Sequence, residues 1–321
     1  MTRIGRNLFV SLALVAAVVT TAAAAEFPSK PVRLVVPFAA GGTFETEARL
    51  IAAKLQENWR QPIIVETRPG ANTILGVDYV AKSAPDGHTL VLHASSIVAT
   101  PQMQRTPYDF LRDLRGVAQT AEVRYVLAAS PKIGVSTVDE LIALARKDPD
   151  RLNYGSSGNG TPLHLYVELF KRAANINLTH VPYKGNGPAM QALLAGDVHL
   201  VFDISLSIIP LVKAGRVRPL MVTGSTPLDV LPTVPVFNVV YPGNGIDGWH
   251  GIFAPAATPK AIVDQIAADL RTAVLSPDLM KRFHDMGFES TGVTSDRFNE
   301  IVRSDYERWG QIIRANNIRV D

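Results

Sequence analysis

The sequence predicts an α/β protein built from two similar lobes. Three observations carry this prediction. Short apolar runs alternate with stretches of helical spacing, the rhythm of a mainly parallel sheet. The rhythm comes in two blocks and ends in a long helical tail. Three of the strand-to-helix junctions hold paired or near-paired glycines. The chain of 321 residues is long enough for two domains of ordinary size. Its 47% hydrophobic and 19% charged residues give a globular composition with a sizeable core.

Residues 1–25 are expected to be a signal peptide, with the mature chain starting at Glu26. Arg3 and Arg6 form a positive start, Leu8 to Val19 is an apolar run, and Ala23 and Ala25 complete an A-x-A cleavage site. The run is shorter than the ~20 residues that a membrane span needs. There is no cysteine, which rules out a lipid anchor at a cleavage-site Cys, a disulfide and thiolate chemistry. An exported, unanchored, Cys-free chain fits a bacterial periplasm. Losing Arg3 and Arg6 lowers the formal net charge from +3 to +1. No basic run with interleaved aromatics appears, which argues against a nucleic-acid partner.

The elements follow in order. VRLVVPF, Val32 to Phe38, is a strand, and Ala48, Ile51, Ala52, Leu55 and Trp59 lie at helical spacing behind it. PIIVE from Pro62 is a strand, TRPGAN a loop and Val77 to Lys82 a short helix. His88 to Ala94 and Tyr125 to Ser130 are strands. Ser136 or Thr137 caps a helix ending at Lys147, with Asp139 and Glu140 in the first turn, where acids suit the dipole. LNYGSSGNG leads to a helix from Pro162, LTHVPYKGNG to a helix from Pro188, and VHLVFD to a helix over Ile208–Ala214. Val217 to Thr223 is a strand, residues 224–248 a long loop and Gly251 to Pro255 a strand. Helix is expected from Pro259 to about Asn317. The lobes are expected to divide as residues 26–124 with 250–321, and 125–249.

Each glycine junction can present backbone N–H groups at a helix start, where the dipole favours an anion. In the first, Ala40, Gly41, Gly42 and Thr43 do so. In the second, Ser156, Ser157, Asn159 and Thr161 add side-chain hydrogen bonds. In the third, Gly185 and Gly187 precede a helix beside Lys184. Nucleotide phosphate, reacting oxyanion and free carboxylate could all use such a cradle. No loop carries the Gly-Lys-Ser/Thr of a phosphate loop. Leu163 and Asn159 break the dinucleotide and nucleophile-elbow patterns. The seven histidines are scattered, without metal-ligand spacing, and no metal or cofactor is expected. His164 reads as a packing or capping residue and His180 as structural. Asp203 reads as a loop anchor, with a ligand's ammonium group as the alternative.

Taken as a set, VRLVVPFAAGG…EAR, VETRPGAN…VAKSAPDGHTL, LNYGSSGNGTPLHL…ELF, HVPYKGNGPAMQALLAGDVHLVFD, LVKAGRVRPLMVTG…LPTVP and GWHGIFAPAATP resemble the Bug-type solute-binding receptors of tripartite tricarboxylate transporters. The resemblance covers nearly the whole mature chain. It implies a periplasmic-binding-protein fold with the ligand cleft between two lobes, and a small carboxylate as ligand. It implies a first loop, Phe38 to Glu45, that holds one carboxylate, and a second-lobe loop, Ser156 to Thr161, that closes on the ligand. The implied partners are two membrane subunits of an importer, with the receptor itself a monomer and not an enzyme.

Four departures from the family pattern bear on specificity. Thr43, Phe44 and Glu45 follow the glycine pair, where Ser/Pro, a small residue and Asp are usual. Gly70, Ala71, Asn72 and Thr73 stand for the usual GAGG loop, and Ile74 follows it. Ser95, Ser96, Ile97 and Val98 stand where Thr-His is frequent, and Arg124 precedes the strand YVLAAS. Phe44 and Ile74 are expected to make part of the pocket apolar, and the Arg124 fork to pair with a second carboxylate. The alternatives pack Phe44 beneath the helix and leave Arg124 as a solvated hinge charge. The substitutions favour an aromatic or bulky apolar acid, an aromatic dicarboxylate such as terephthalate among them, over a small, very polar ligand such as citrate. Two other functions stay open: a sensing receptor that docks on a sensor kinase, and a hydrolase on a binding-protein scaffold.

Overall fold

The apolar runs become the strands of two separate sheets. The computed structural model describes residues 27–149, 151–224, 226–242, 247–315 and 318. The expected signal peptide, and residues 225 and 243–246 of the expected long loop, lie outside these.

The first sheet opens with β1 (Val32–Val36), followed by α1 (Thr43–Trp59), β2 (Ile63–Thr67), α2 (Ile74–Ala81) and β3 (Thr89–Ala94). After a 3-10 helix at Ser95–Val98 come α3 (Thr100–Met103), α4 (Phe110–Asp113) and β4 (Leu114–Val123). The chain then enters the second sheet through β5 (Tyr125–Ala129). There α5 (Val138–Lys147), β6 (Asn153–Ser156), α6 (Pro162–Ala174), β7 (Thr179–Pro182), α7 (Asn186–Ala195), β8 (Leu200–Ile204), α8 (Ser205–Lys213) and β9 (Arg218–Val222) follow. A short α9 (Phe237–Val240) precedes the return through β10 (Gly248–Pro255), and α10 (Lys260–Val274), α11 (Pro277–Asp285), β11 (Phe288–Ser290) and α12 (Ser295–Ala315) finish the fold.

The strand orders are β11-β4-β10-β3-β1-β2 and β7-β6-β8-β5-β9. Both sheets are mixed, which corrects the mainly parallel expectation. β1 pairs in parallel with β2 and β3, and β6 with β7 and β8. The antiparallel pairs are β10 with β3 and β4 and β5 with β8 and β9, next to the crossings, and the edge pair β11 with β4. A strand that brings the chain in from the other sheet enters from the facing end, so its direction is reversed.

Three strands depart from the sequence pattern. β4 is buried along nearly its whole length, so its mixed sequence LRGVAQTAEV shows no alternation. β10 starts at Gly248, which pairs with Val123, while Trp249 pairs with Glu122. Gly248 and Trp249 therefore belong to the first sheet, ahead of the expected boundary at 250. The expected helical tail is broken by β11, which adds an edge to β4.

Local signals set the helix starts. Thr137, not Ser136, caps α5, and its hydroxyl and the Glu140 carboxylate form a reciprocal capping box. α7 begins at Asn186, ahead of Pro188. Asp305 of α12 accepts the Trp249 indole N–H at 2.7 Å, tying the last helix to β10 beside the crossing. Tyr166 of α6 meets Trp309 of α12 with ring centroids 6.1 Å apart, a contact from one lobe to the other.

Candidate functional site

The ends of β1, β3, β6, β7 and β8 carry the loops singled out from sequence. At the end of β1, Gly41 has a φ of 78°, a backbone state that suits glycine. Gly42 is the N-cap of α1 and supplies no side-chain cap. Glu45, in the first turn, fills that role by reaching back to accept the Gly41 N–H at 2.7 Å. Arg49 donates to its other oxygen from Nε at 2.9 Å. The Gly41 N–H and then Arg49 hold the Glu45 carboxyl below its ordinary range. Ala40, Gly41, Gly42 and Thr43 are exposed. The first loop thus already holds one carboxylate, the chain's own.

Phe38 and Phe44 stack beside this loop, with centroids 4.0 Å apart and planes 12° from parallel. Both are half-buried. Phe44 also lies 4.3 Å from the His250 ring, and Phe38 lies 5.0 Å from His93. The alternative that packed Phe44 beneath the helix is half right: one face of the pair is packed, and part of it stays open. Burial lowers His93 to about 4, so it is neutral at pH 7. Its Nδ1–H donates to the Ala94 carbonyl at 2.9 Å, and its Nε2 accepts the Thr73 hydroxyl at 2.9 Å. That bond joins the loop before α2 to β3. Ile74 is buried, and Ser95 is buried at the start of its 3-10 helix.

In the second-lobe loop, Ser156 is fully buried. Its Oγ bonds His180 Nε2 at 2.6 Å and accepts the Gly158 N–H at 3.1 Å. Thr161 donates its hydroxyl to the Gly158 carbonyl at 2.8 Å. These two hydroxyls shape the loop, which corrects their expected use as donors toward a ligand. A turn needing left-handed glycines at 158 and 160 leaves polar backbone groups that nearby hydroxyls must satisfy. Ser157 is half-buried and Asn159 exposed. His164 accepts the Gly160 N–H at 3.0 Å, the capping role read from sequence. His180 stacks on Tyr154, at 4.8 Å, and on His164, at 4.1 Å. Burial lowers His180 to about 3.

The third loop is tied to the second by Tyr183 N–H to the Ser156 carbonyl at 2.9 Å. Asp203 is buried at the end of β8, where Oδ1 accepts from Ile204 N at 2.7 Å and Asn186 Nδ2 at 2.9 Å. It is the loop anchor of the first reading. Burial raises it to about 6, against these two bonds.

Arg124 departs from expectation. It is buried, not a solvated charge, and its fork faces the second lobe. Nε donates to the Thr223 carbonyl at 2.7 Å and Nη2 to the Thr226 carbonyl. Nη1 stands 3.9 Å from Glu289 of β11. The guanidinium thus holds two carbonyls of the segment that follows β9. Arg124 lines a cavity of about 320 Å³ with Leu206, Ile209, Leu228, Phe288 and Glu289, drawn from both lobes.

Sequence reading missed Glu47, Thr120, His93 and His250. The available signal was Glu47 itself, a charged residue on the stripe of Ala48, Ile51 and Leu55 that α1 buries. Among the described residues, no group of three or more His, Cys, Asp or Glu is placed to hold a metal. No helix among them is long and apolar enough to cross a membrane.

Two mixed α/β lobes joined by paired crossings, with helix-start loops at their strand ends, define a periplasmic-binding-protein fold. A family model described as tripartite tricarboxylate transporter family receptor matches residues 47–318, and the chain belongs to that family. Among curated relatives, the UPF0065 protein of the tcbD-tcbE intergenic region in a Pseudomonas species is 34% identical over 293 residues, 89% of this chain and 86% of the relative. An R. palustris protein solved with adipate is 33% identical with a TM-score of 0.78, covering 92% of this chain and 99% of that one. MatC from Rhodopseudomonas palustris, solved with bound malate, is 30% identical with a TM-score of 0.76, covering 89% and 100%. The chain is therefore a solute-binding receptor by family.

Proposed function

We propose that the protein captures an aromatic dicarboxylate, with terephthalate as the leading candidate, and hands it to the two membrane subunits of a tripartite importer. The carrying observation is the half-exposed Phe38–Phe44 stack beside the exposed glycine pair. The partly exposed edge of an aromatic stack next to helix-start N–H groups suits a ring that bears a carboxylate. With the Gly41 N–H taken by Glu45, the backbone N–H groups of Gly42, Thr43 and Phe44 receive one carboxylate. Ser157 and Asn159 meet the ligand from the second lobe, and Ser95 and the Asp203 anchor shape the floor. The similar proteins solved with adipate and malate support a ligand with two carboxylates.

Capture is a two-lobe closure at the crossings. Closing excludes water and strengthens the charged hydrogen bonds to the ligand. The ligand favours the closed form only through its better contacts there. In this reading the chain is exported, cut before Glu26, monomeric and without catalytic activity.

The test is a thermal-shift and calorimetric panel on residues 26–321. It includes terephthalate, phthalate, benzoate, protocatechuate, adipate, malate, citrate and glutamate. A ligand that binds only the folded state raises the melting temperature. The reading expects terephthalate to give the largest shift. A shift only with citrate or acidic amino acids overturns the aromatic assignment and keeps the receptor.

A further inference from the structure

Glu47 is completely buried in α1, one turn past the ligand loop. A carboxylate in that position is costly unless its oxygens are satisfied. Both are. Thr120 of β4 donates its hydroxyl to Oε1 at 2.9 Å. His250 of β10 donates Nδ1–H to Oε2 at 2.6 Å. Thr120 and His250 are themselves buried.

The three partners lie on three elements with distinct jobs. α1 begins at the glycine pair. β4 runs into one crossing between the lobes at Val123–Tyr125, and β10 leaves the other at Gly248. One carboxylate therefore joins the helix behind the ligand loop to both strands that lead to the lobe crossings. The His250 ring is also a packing surface. It lies 4.3 Å from Phe44 on one side and 4.9 Å from Phe288 of β11 on another. The result is a continuous run of rings, Phe38–Phe44–His250–Phe288, whose third member is fixed by Glu47. Phe288 lines the cavity between the lobes that Arg124 also lines.

We propose that Glu47 is a positioning residue for ligand selection: by holding His250 and Thr120 it fixes the plane of the Phe44 ring and the height of the glycine pair relative to the lobe crossings. The proposal rests on the first loop being the ligand site. It adds a specificity determinant that touches no ligand. Precise placement by supporting contacts is what lets a rigid wall distinguish ligands of different shape.

The test compares Glu47→Leu, Glu47→Gln and Thr120→Val with the unaltered protein. Gln keeps the shape and can still bond both partners, whereas Leu strands the His250 Nδ1–H and the Thr120 hydroxyl. Dissociation constants for terephthalate and adipate are measured, with melting temperature alongside. Glu47→Leu is expected to weaken terephthalate by roughly tenfold and adipate much less, so that the ratio of the two falls. Glu47→Gln restores the ratio, and Thr120→Val lowers it by a smaller factor. If Glu47→Leu does not fold, Thr120→Val decides by the same ratio. A lower melting temperature with an unchanged ratio overturns the proposal and leaves a purely structural cluster.

A ligand-independent measurement separates this proposal from the aromatic assignment. In the free protein, NMR should show a downfield His250 Nδ1 proton that Glu47→Leu abolishes. The Gly41 and Gly42 amide signals should move in the same variant. If neither acid binds the unaltered protein, the aromatic assignment fails and these signals decide the positioning role. Gly41 and Gly42 amides that stay at their original shifts in Glu47→Leu or Thr120→Val overturn it.

Discussion

Glu45 Oε2 accepts the backbone N–H of Gly41 at 2.7 Å, so a carboxylate of the chain caps the loop that is proposed to receive a ligand's carboxylate. Arg49 holds the other side of Glu45. The cap closes one donor and leaves the N–H groups of Gly42, Thr43 and Phe44 at the helix start, where the dipole is strongest.

This cap has a pH signature. The folded-state pKa of Glu45 is depressed, so its contribution is present above the unfolded carboxylate range and lost as pH falls through the folded value. The difference in melting temperature between the unaltered protein and Glu45→Gln should be constant near neutrality and should shrink below about pH 4. An unchanged difference down to pH 2.5 would mean that the charge of Glu45 contributes nothing to the cap.

Asp203 has the opposite sign. Burial raises it from 3.8 to about 6, so the folded state holds its proton more tightly than the unfolded chain. Its cost to stability is absent below the unfolded value, grows between these two values and is constant above. Asp203→Asn keeps an acceptor for Ile204 N and removes the charge. It should be the more stable protein at pH 7.5, by at most about 2–3 kcal/mol, and should lose that advantage near pH 4. Urea unfolding at the two pH values measures it. Equal stability at both would show that the buried carboxylate carries no penalty.

Gly224 and Arg124 form a single fitted pair. Gly224 has a φ of 100°, and a Cβ there would run into the Arg124 guanidinium. Gly224→Ala should cost about 1–3 kcal/mol through backbone strain and displacement of the buried fork. Arg124→Ala strands the Thr223 and Thr226 carbonyls and should lower the melting temperature as well. Ligand affinity distinguishes the two roles considered for this arginine. A fork employed at the lobe crossing loses stability with similar loss for mono- and dicarboxylates. A fork that pairs with a second carboxylate loses dicarboxylate affinity selectively.

Much of the fold was legible because β1, β3, β5 and β8 are short apolar runs bounded by turn residues, and α1 and α5 carry clear stripes or caps. β4 was not, because its small and polar residues are buried by neighbours on both sides rather than by an alternating pattern. β11 is three residues long and owes its strand state to pairing with β4. In the site, glycines and aromatics revealed the loops, since backbone freedom and flat apolar faces are properties of the residues themselves. Glu47 and His250 are 203 positions apart in the chain, so nothing local announces that they meet. Arg124 shows the converse error. Its fork was visible in sequence, but the Thr223 and Thr226 carbonyls that occupy it reach it only because β9 pairs with β5.

The sharpest prediction concerns Phe44. Its ring lies between Phe38 and His250, half-buried, at the second residue of α1. Phe44→Ala removes a stacked surface without touching the backbone N–H groups of the loop. Binding of an aromatic acid should therefore weaken by about 0.5–1.5 kcal/mol beyond the loss from area alone, while an aliphatic diacid loses only the area share. Calorimetry with terephthalate and adipate reads the difference directly. Phe44→Leu refines it, because Leu restores apolar area without a π face. If Leu restores terephthalate affinity in full, the wall acts through area and not through stacking. If both substitutions leave both affinities unchanged, Phe44 is packing for α1, and the apolar wall must be sought at the Ile74 side of the cleft.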